Sequence, residues 1–241
     1  MEVHIFDNAS QVAQAAALLM AAQVLRKPGS VLGLATGSSP IPTYQELIRL
    51  HRAGVVDFSK VRTFNLDEYC RLPQEHPCSY HFFMKQELFD HLNIPAENTR
   101  LPDGNAENLI WEAARYDAAI VEAGGIDMQL LGIGHNAHIG FNEPADELIY
   151  GTHVSDLTPS TIQANRRFFD REEDVPRQAV TMGIGAIMNA ACVLLIATGQ
   201  DKAQAVYESI RGEISPRVPA SVLRGHSNAL FLLDKEAAEL L

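Results

Sequence analysis

The sequence predicts an α/β fold of the doubly wound, Rossmann-like kind, a mostly parallel sheet with helices on both faces, built as a single domain over residues 1–241. Three observations predict it. Apolar runs of strand length, such as 30–35 (SVLGLA) and 192–198, are continuous rather than alternating, as strands covered on both faces require. These runs alternate along the chain with segments of helical spacing. No repeat, low-complexity tract or Pro/Gly-rich linker interrupts a length that is ordinary for one α/β domain.

Taken in order, residues 3–6 read as a short strand. Asn8 and Ser10 offer N-caps to an Ala/Leu/Val-rich helix running to about residue 27, where Pro28 and Gly29 stop it. The strand 30–35 leads into a small-residue turn and a helix over 40–52 with Tyr44, Leu47, Ile48 and His51 at helical spacing. A strand over 61–66 ends at Asp67. Helices are predicted over 80–92 and 106–123, the second after Asp103-Gly104-Asn105. A strand over 128–133 follows, with Gly134 opening the next turn, and 153–157 reads as an edge strand. The remainder predicts a short helix over 182–189, a buried strand over 192–198, a helix over 201–210 and a last strand over 228–233. Asp234 then caps a terminal helix.

Composition narrows the function. With 46% apolar and 20% charged residues, the chain can bury a full core. A formal net charge of −11 argues against a nucleic-acid or anionic-membrane surface, while an anionic small substrate requires a local pocket of positive potential. The N-terminus lacks a basic segment followed by a long apolar one, and the apolar run 190–197 is too short to span a bilayer, so a reducing cytoplasm is expected. Cys70, Cys78 and Cys192 form no CxxC pair and their odd number fits no disulfide framework. Cys70 and Cys78, even with His76 and His81 nearby, match no zinc-ligand spacing, and no metal is expected.

Two stretches carry the chemistry: 64–69 (FNLDEY) and 132–144 (GIGHNAHIGFNEP), each in the turn after a buried strand. Ligands of open α/β sheets bind where strands end, so Asp67, His138 and Glu143 are candidates for one site despite their separation in sequence. Adjacent residues of an extended segment point to opposite sides, so Asp67, at the strand exit, is assigned to the ligand and Glu68 to a structural pairing or cap. A partly shielded carboxylate makes a base near neutral pH, and a histidine both accepts and donates protons there. A Ser-His-Asp hydrolase is disfavoured because no G-x-S-x-G elbow occurs, and His135 with His138 lacks the HExxH context of zinc enzymes.

A third stretch, Thr36-Gly37-Ser38-Ser39, lies between strand and helix, where backbone N–H groups and hydroxyls can meet an anion. It is neither a Walker A loop nor G-x-G-x-x-G, which favours a simple phosphate over a nucleotide. Arg167, beside Phe168 and Phe169, and Lys202, after Thr198-Gly199-Gln200, are the candidate cations.

With these residues in place, the chain resembles glucosamine-6-phosphate deaminases over essentially its whole length. Six blocks in order carry the resemblance: 32–44 (LGLATGSSPIPTY), 64–69, 79–84 (SYHFFM), 131–144, 161–169 (TIQANRRFF) and 197–203 (ATGQDKA). The resemblance implies cofactor-independent conversion of D-glucosamine 6-phosphate and water to D-fructose 6-phosphate and ammonia. His138 would open the pyranose, supported by Glu143 and Asn136. Asp67 would move a proton from C2 to C1. Thr36, Gly37, Ser38, Ser39, Tyr80, Arg167 and Lys202 would bind the sugar phosphate. A monomer is the favoured state and a homo-oligomer the alternative. Two departures stand out, since many members of the family carry aspartate at the position of Asn136 and glycine at that of Ala137. Basic residues that accompany activation by N-acetylglucosamine 6-phosphate are missing near His153 and Ser155, and the chain ends earlier, so hyperbolic kinetics are expected. The alternatives are a lactonase-like hydrolase in which His138 activates water, and a sugar-phosphate-sensing module.

Overall fold

The computed structural model describes residues 1–166, 169, 171 and 174–241. Arg167 and Phe168 therefore lie outside the described residues. Within them the chain builds β1 (Glu2–Phe6), α1 (Ala9–Arg26), β2 (Val31–Leu34), α2 (Ile41–Arg52), β3 (Arg62–Asn65), β4 (Asp67–Tyr69), α3 (Tyr80–Glu87) and β5 (Thr99–Arg100). It continues with α4 (Leu109–Glu122), β6 (Met128–Leu131), β7 (His153–Asp156), α5 (Pro159–Asn165), β8 (Gln178–Thr181), α6 (Ile184–Met188), β9 (Val193–Ala197), α7 (Ala203–Arg211) and β10 (Ala229–Asp234).

Seven strands form one sheet in the order β1-β10-β9-β6-β2-β3-β5, every pairing parallel. Two cores sandwich it. On one face Leu32, Leu34, Met128, Leu130, Leu194 and Ile196 pack against α1 and α2 through residues such as Met20, Val24, Tyr44 and Leu47. On the other, Val31, Phe64, Leu131, Leu195 and Phe231 pack against α4, α6 and α7 through Tyr116, Ile120, Ile187 and Val206. Alternate residues of each strand serve opposite cores, which is why the runs read as continuously apolar.

The strand order reverses at β2. From there the chain moves outward through β3 to β5, then returns to the other side of β2 as β6. The loops leaving β2 and β6 diverge, opening a crevice at their carboxyl ends.

A second sheet, β4-β8-β7, is antiparallel and was not legible in the sequence. Only Leu66 separates β3 from β4, and its N–H and C=O bridge both sheets, donating to Leu34 and accepting from Met182. A small apolar core of Tyr69, Leu72, Phe141, Leu157, Phe169 and Val175 lies against this sheet. β4 reads as a polar turn (DEY), yet all three residues are buried, because Glu68 finds partners in the protein. Its carboxylate accepts from the N–H groups of Tyr69, Tyr80 and His81 at 2.8, 3.0 and 2.9 Å and meets His81 Nδ1 at 2.7 Å. An anion at the first turn of α3 satisfies donors that a helix leaves open and complements its dipole.

Several element boundaries differ from expectation. The helix predicted over 106–123 starts at Leu109, because the side chain of Asn108 caps it, accepting from Trp111 N–H at 3.0 Å. That over 80–92 ends at Glu87 and passes into a 3-10 turn, Phe89–His91. That over 201–210 begins with a 3-10 turn, Gln200–Lys202, ahead of α7. No terminal helix follows Asp234. Its carboxylate divides between Ala237 N–H at 2.8 Å and Gly199 N–H at 3.0 Å, and the following residues form turns.

Because Glu68 is buried and multiply bonded, Glu68→Ala should lower the unfolding free energy by about 3 kcal/mol, measured by urea denaturation. A loss below about 1 kcal/mol would show that the cap of α3 carries no such weight.

Candidate functional site

The carboxyl ends of β2, β3, β6 and β9 converge on a cleft of about 430 Å³. Its walls include Thr36, Gly37, Ser38 and Ser39 after β2, Asp67 after β3, His135, Asn136 and His138 after β6, and Lys202 after β9. Tyr80 of α3 lines it too. Nine residues singled out in the sequence are thus brought together. Glu143 sits behind this wall, and Arg167 lies outside the described residues. Not foreseen as site residues were Phe141 and three residues of α5: Ser160, Thr161 and Asn165. The block TIQAN contained the signal for the last two.

Each part is held by local chemistry. Gly37 adopts φ +91°, which only glycine accepts readily, and so turns the loop toward α2. Tyr44 of α2 anchors the same loop by accepting from Ala35 N–H at 3.2 Å and donating to its carbonyl at 2.5 Å. Tyr80 enters the cleft because Glu68 caps α3 at this residue. Its ring stacks on Phe141 with centroids 6.2 Å apart, and its hydroxyl donates to Tyr69 at 3.2 Å.

Asp67 and Glu143 are tuned in opposite directions. Burial, reinforced by the neighbouring charge of Glu68, pushes the Asp67 carboxyl up to about 8 against the opposing bond from Thr36. Gly140, at φ +57°, lies beside this carboxyl: a β-carbon there would crowd Thr181 Oγ1 at 3.0 Å and stand in ordinary contact with Asp67 Oδ2 at 3.5 Å. Burial also pushes the Glu143 carboxyl up, but His138, Thr161 and Asn136 together outweigh it and hold the group at about 2. Thr161 Oγ1 donates to Glu143 Oε1 at 2.5 Å and Asn136 Nδ2 to Oε2 at 2.8 Å.

His138 Nδ1 lies 3.3 Å from Glu143 Oε2, within ion-pairing distance, although the contact falls short of a well-aligned hydrogen bond. The imidazole packs flat over Gly134, where a β-carbon would fall 2.4 Å from the ring. The turn is closed by Gly134 N–H donating to the His138 carbonyl at 3.0 Å and Ala137 N–H to the Gly134 carbonyl at 2.9 Å. Ala137 takes φ +64°, so alanine does occupy a left-handed position here, at a conformational cost of about 1 kcal/mol. Its carbonyl accepts from Ala220 N–H at 2.9 Å, a long-range tie that holds it in place. Asn136 gains a role through its amide. The NH₂ donates to Glu143, which an ionised aspartate could not do, while Oδ1 faces His138 N–H at 3.3 Å.

The arrangement thus offers an anion cradle, a high-pKa carboxyl and an imidazole backed by a firmly ionised carboxylate. That suits proton transfers on a small phosphorylated molecule.

Comparison with known proteins agrees with this chemistry. The family model described as glucosamine-6-phosphate isomerases/6-phosphogluconolactonase matches residues 7–232. A protein named glucosamine-6-phosphate deaminase from Halothermothrix orenii is 51% identical over 241 residues, covering 100% of both chains. A solved structure, described as a monomeric glucosamine-6-phosphate deaminase, superposes with a TM-score of 0.98 at 43% identity, covering 100% of each chain. The 6-phosphogluconolactonase from Trypanosoma cruzi shares the fold, with a TM-score of 0.79 at 20% identity over 100% of this chain and 96% of its own.

Asp67 also makes stability depend on pH. Its folded pKa of about 8 lies above the ordinary 3.8, so the folded chain binds the extra proton between those values and loses stability as pH rises across them. Asp67→Asn removes that dependence. The stability of the variant relative to the parent chain should grow from pH 5 to pH 8.5 in urea titrations without ligand. A constant difference would contradict the assigned environment.

Proposed function

This chain belongs to the family of glucosamine-6-phosphate isomerases and 6-phosphogluconolactonases, and we propose that it converts D-glucosamine 6-phosphate and water to D-fructose 6-phosphate and ammonia. The observation that carries the reading is the opening of Asp67 and His138 into one cleft that the Thr36–Ser39 turn also lines. In this reading the chain works as a single catalytic domain, a monomer in the cytoplasm, and a hydrolase acting on carbon–nitrogen bonds.

The phosphate binds to the N–H groups and hydroxyls of Thr36, Gly37, Ser38 and Ser39, with Lys202 and Arg167 as counter-ions. Anchoring one end of the sugar sets its reactive carbons against the proton-transfer groups and removes the entropic cost of finding them. Tyr80 closes the side of the cleft. His138 takes the proton of the anomeric hydroxyl and returns it to the ring oxygen, which breaks the C1–O5 bond and frees the aldehyde. The imidazolium formed between these steps is stabilised by Glu143, whose low pKa keeps it anionic throughout. Asn136 and Thr161 hold that carboxylate in place.

Asp67 then removes the C2 proton, giving an enolamine, and delivers it to C1. The resulting C2 ketimine adds water and expels ammonia. A base must be ionised to act, yet the empty site favours the protonated acid at neutral pH. The substrate supplies the correction, because its own C2 ammonium, placed beside Asp67, favours the carboxylate. The base is therefore armed by the amino sugar, and a 2-hydroxy analogue lacks that effect. Without basic residues near His153 and Ser155, saturation by substrate is hyperbolic and indifferent to N-acetylglucosamine 6-phosphate.

Asp67→Asn should reduce ammonia release from glucosamine 6-phosphate by at least about a hundredfold while leaving sugar-phosphate binding nearly intact. Unchanged turnover would refute the base assignment. Faster consumption of 6-phosphogluconolactone than of the amino sugar by the parent chain would refute the reaction itself.

A further inference from the structure

At the mouth of the cleft, loops that follow two different strands meet through one polar contact. His135, in the turn after β6, places Nε2 2.6 Å from Oδ2 of Asp201, in the 3-10 turn after β9. A carboxylate only accepts, so Nε2 carries the proton and the imidazole is the donor. The same carboxylate oxygen stands 3.9 Å from Nζ of Lys202. His135 and Lys202 line the cleft, whereas Asp201, next to both, does not. A carboxylate thus sits beside a cation assigned to the phosphate, where its charge opposes an arriving dianion and competes for the ammonium.

We propose that His135 is a specificity-determining residue for phosphorylated substrates, acting as the partner that occupies Asp201. The distances decide between the two rivals for this carboxylate: the imidazole is in hydrogen-bond contact, and the ammonium is beyond it. With Asp201 held by His135, that carboxylate does not compete with the phosphate for Lys202, and part of the adjacent negative charge is offset. Remove the imidazole, and Asp201 turns to Lys202 and repels the ligand. The opposing possibility is a solvated surface pair of no consequence, since His135 and Asp201 are 55% and 60% exposed.

The inference rests on the deaminase reading for the nature of its ligand, and binding of inorganic phosphate separates the two. His135→Ala should weaken phosphate binding, followed by calorimetry, by roughly threefold to fivefold, a size suited to an exposed pair. The KM for glucosamine 6-phosphate should rise by a similar factor, with the loss falling on KM rather than kcat. Adding Asp201→Asn to that variant should restore both constants to near their starting values, and high salt should shrink the defect. Phosphate binding unaltered by His135→Ala, or a defect that Asp201→Asn does not relieve, would overturn the proposal. If the parent chain binds phosphate in this pattern but releases no ammonia, the deaminase reading fails and the role of His135 stands. If it binds no phosphate, both fail.

Discussion

Burial of the Asp67 carboxyl beside that of Glu68 is the constraint on which the rest of this cleft depends. Two adjacent acids can be buried only if each has its own solution. Glu68 is given a full set of donors by the start of α3, and in accepting them it fixes the helix that carries Tyr80. Asp67 points the other way and accommodates its burial by holding a proton. The device that makes this possible is the abrupt passage from β3 to β4 through Leu66, which takes the chain from the large sheet into the small one. The small sheet closes over the crevice at the switch point of the large one.

The cleft then contains two carboxyl groups whose environments drive them apart. Glu143, set among His138, Thr161 and Asn136, remains charged under all ordinary conditions, whereas Asp67 stands poised near neutrality. Such a separation is what the proposed roles require: a permanently ionised group to support an imidazolium, and a poised group to exchange protons. Glycines supply the clearances. Gly134 lets the His138 ring lie on the backbone, and Gly140, beside Asp67, leaves space for the Thr181 hydroxyl.

Much of this was legible in the sequence, for physical reasons. Strands covered on both faces announce themselves as apolar runs, and the rule that ligands sit at strand ends joined Asp67, His138 and Glu143, with Thr36–Ser39 and Lys202 read separately as an anion site. The departure from glycine at Ala137 was visible in the sequence, and the structure shows the positive φ that the usual glycine would serve. What escaped notice was polar or brief. β4 has the composition of a turn and forms a strand only because β8 and the start of α3 satisfy it. β5 spans two residues, too short for any periodicity. The tie between Thr161 and Glu143 joins residues eighteen apart through a tertiary contact that no local pattern encodes. Asparagine at 136 looked like a lost charge, while the structure uses its amide as a donor.

The central claim is that one anchored hexose phosphate reaches Asp67 and His138 at once. A crystal structure with a bound hexose 6-phosphate tests it most directly. The account predicts the phosphate seated on the N–H groups of Thr36–Ser39, with C2 about 3–3.5 Å from the Asp67 carboxyl and the anomeric end at His138. A sugar bound with its phosphate elsewhere, or with Asp67 and His138 facing no common carbon chain, would contradict it.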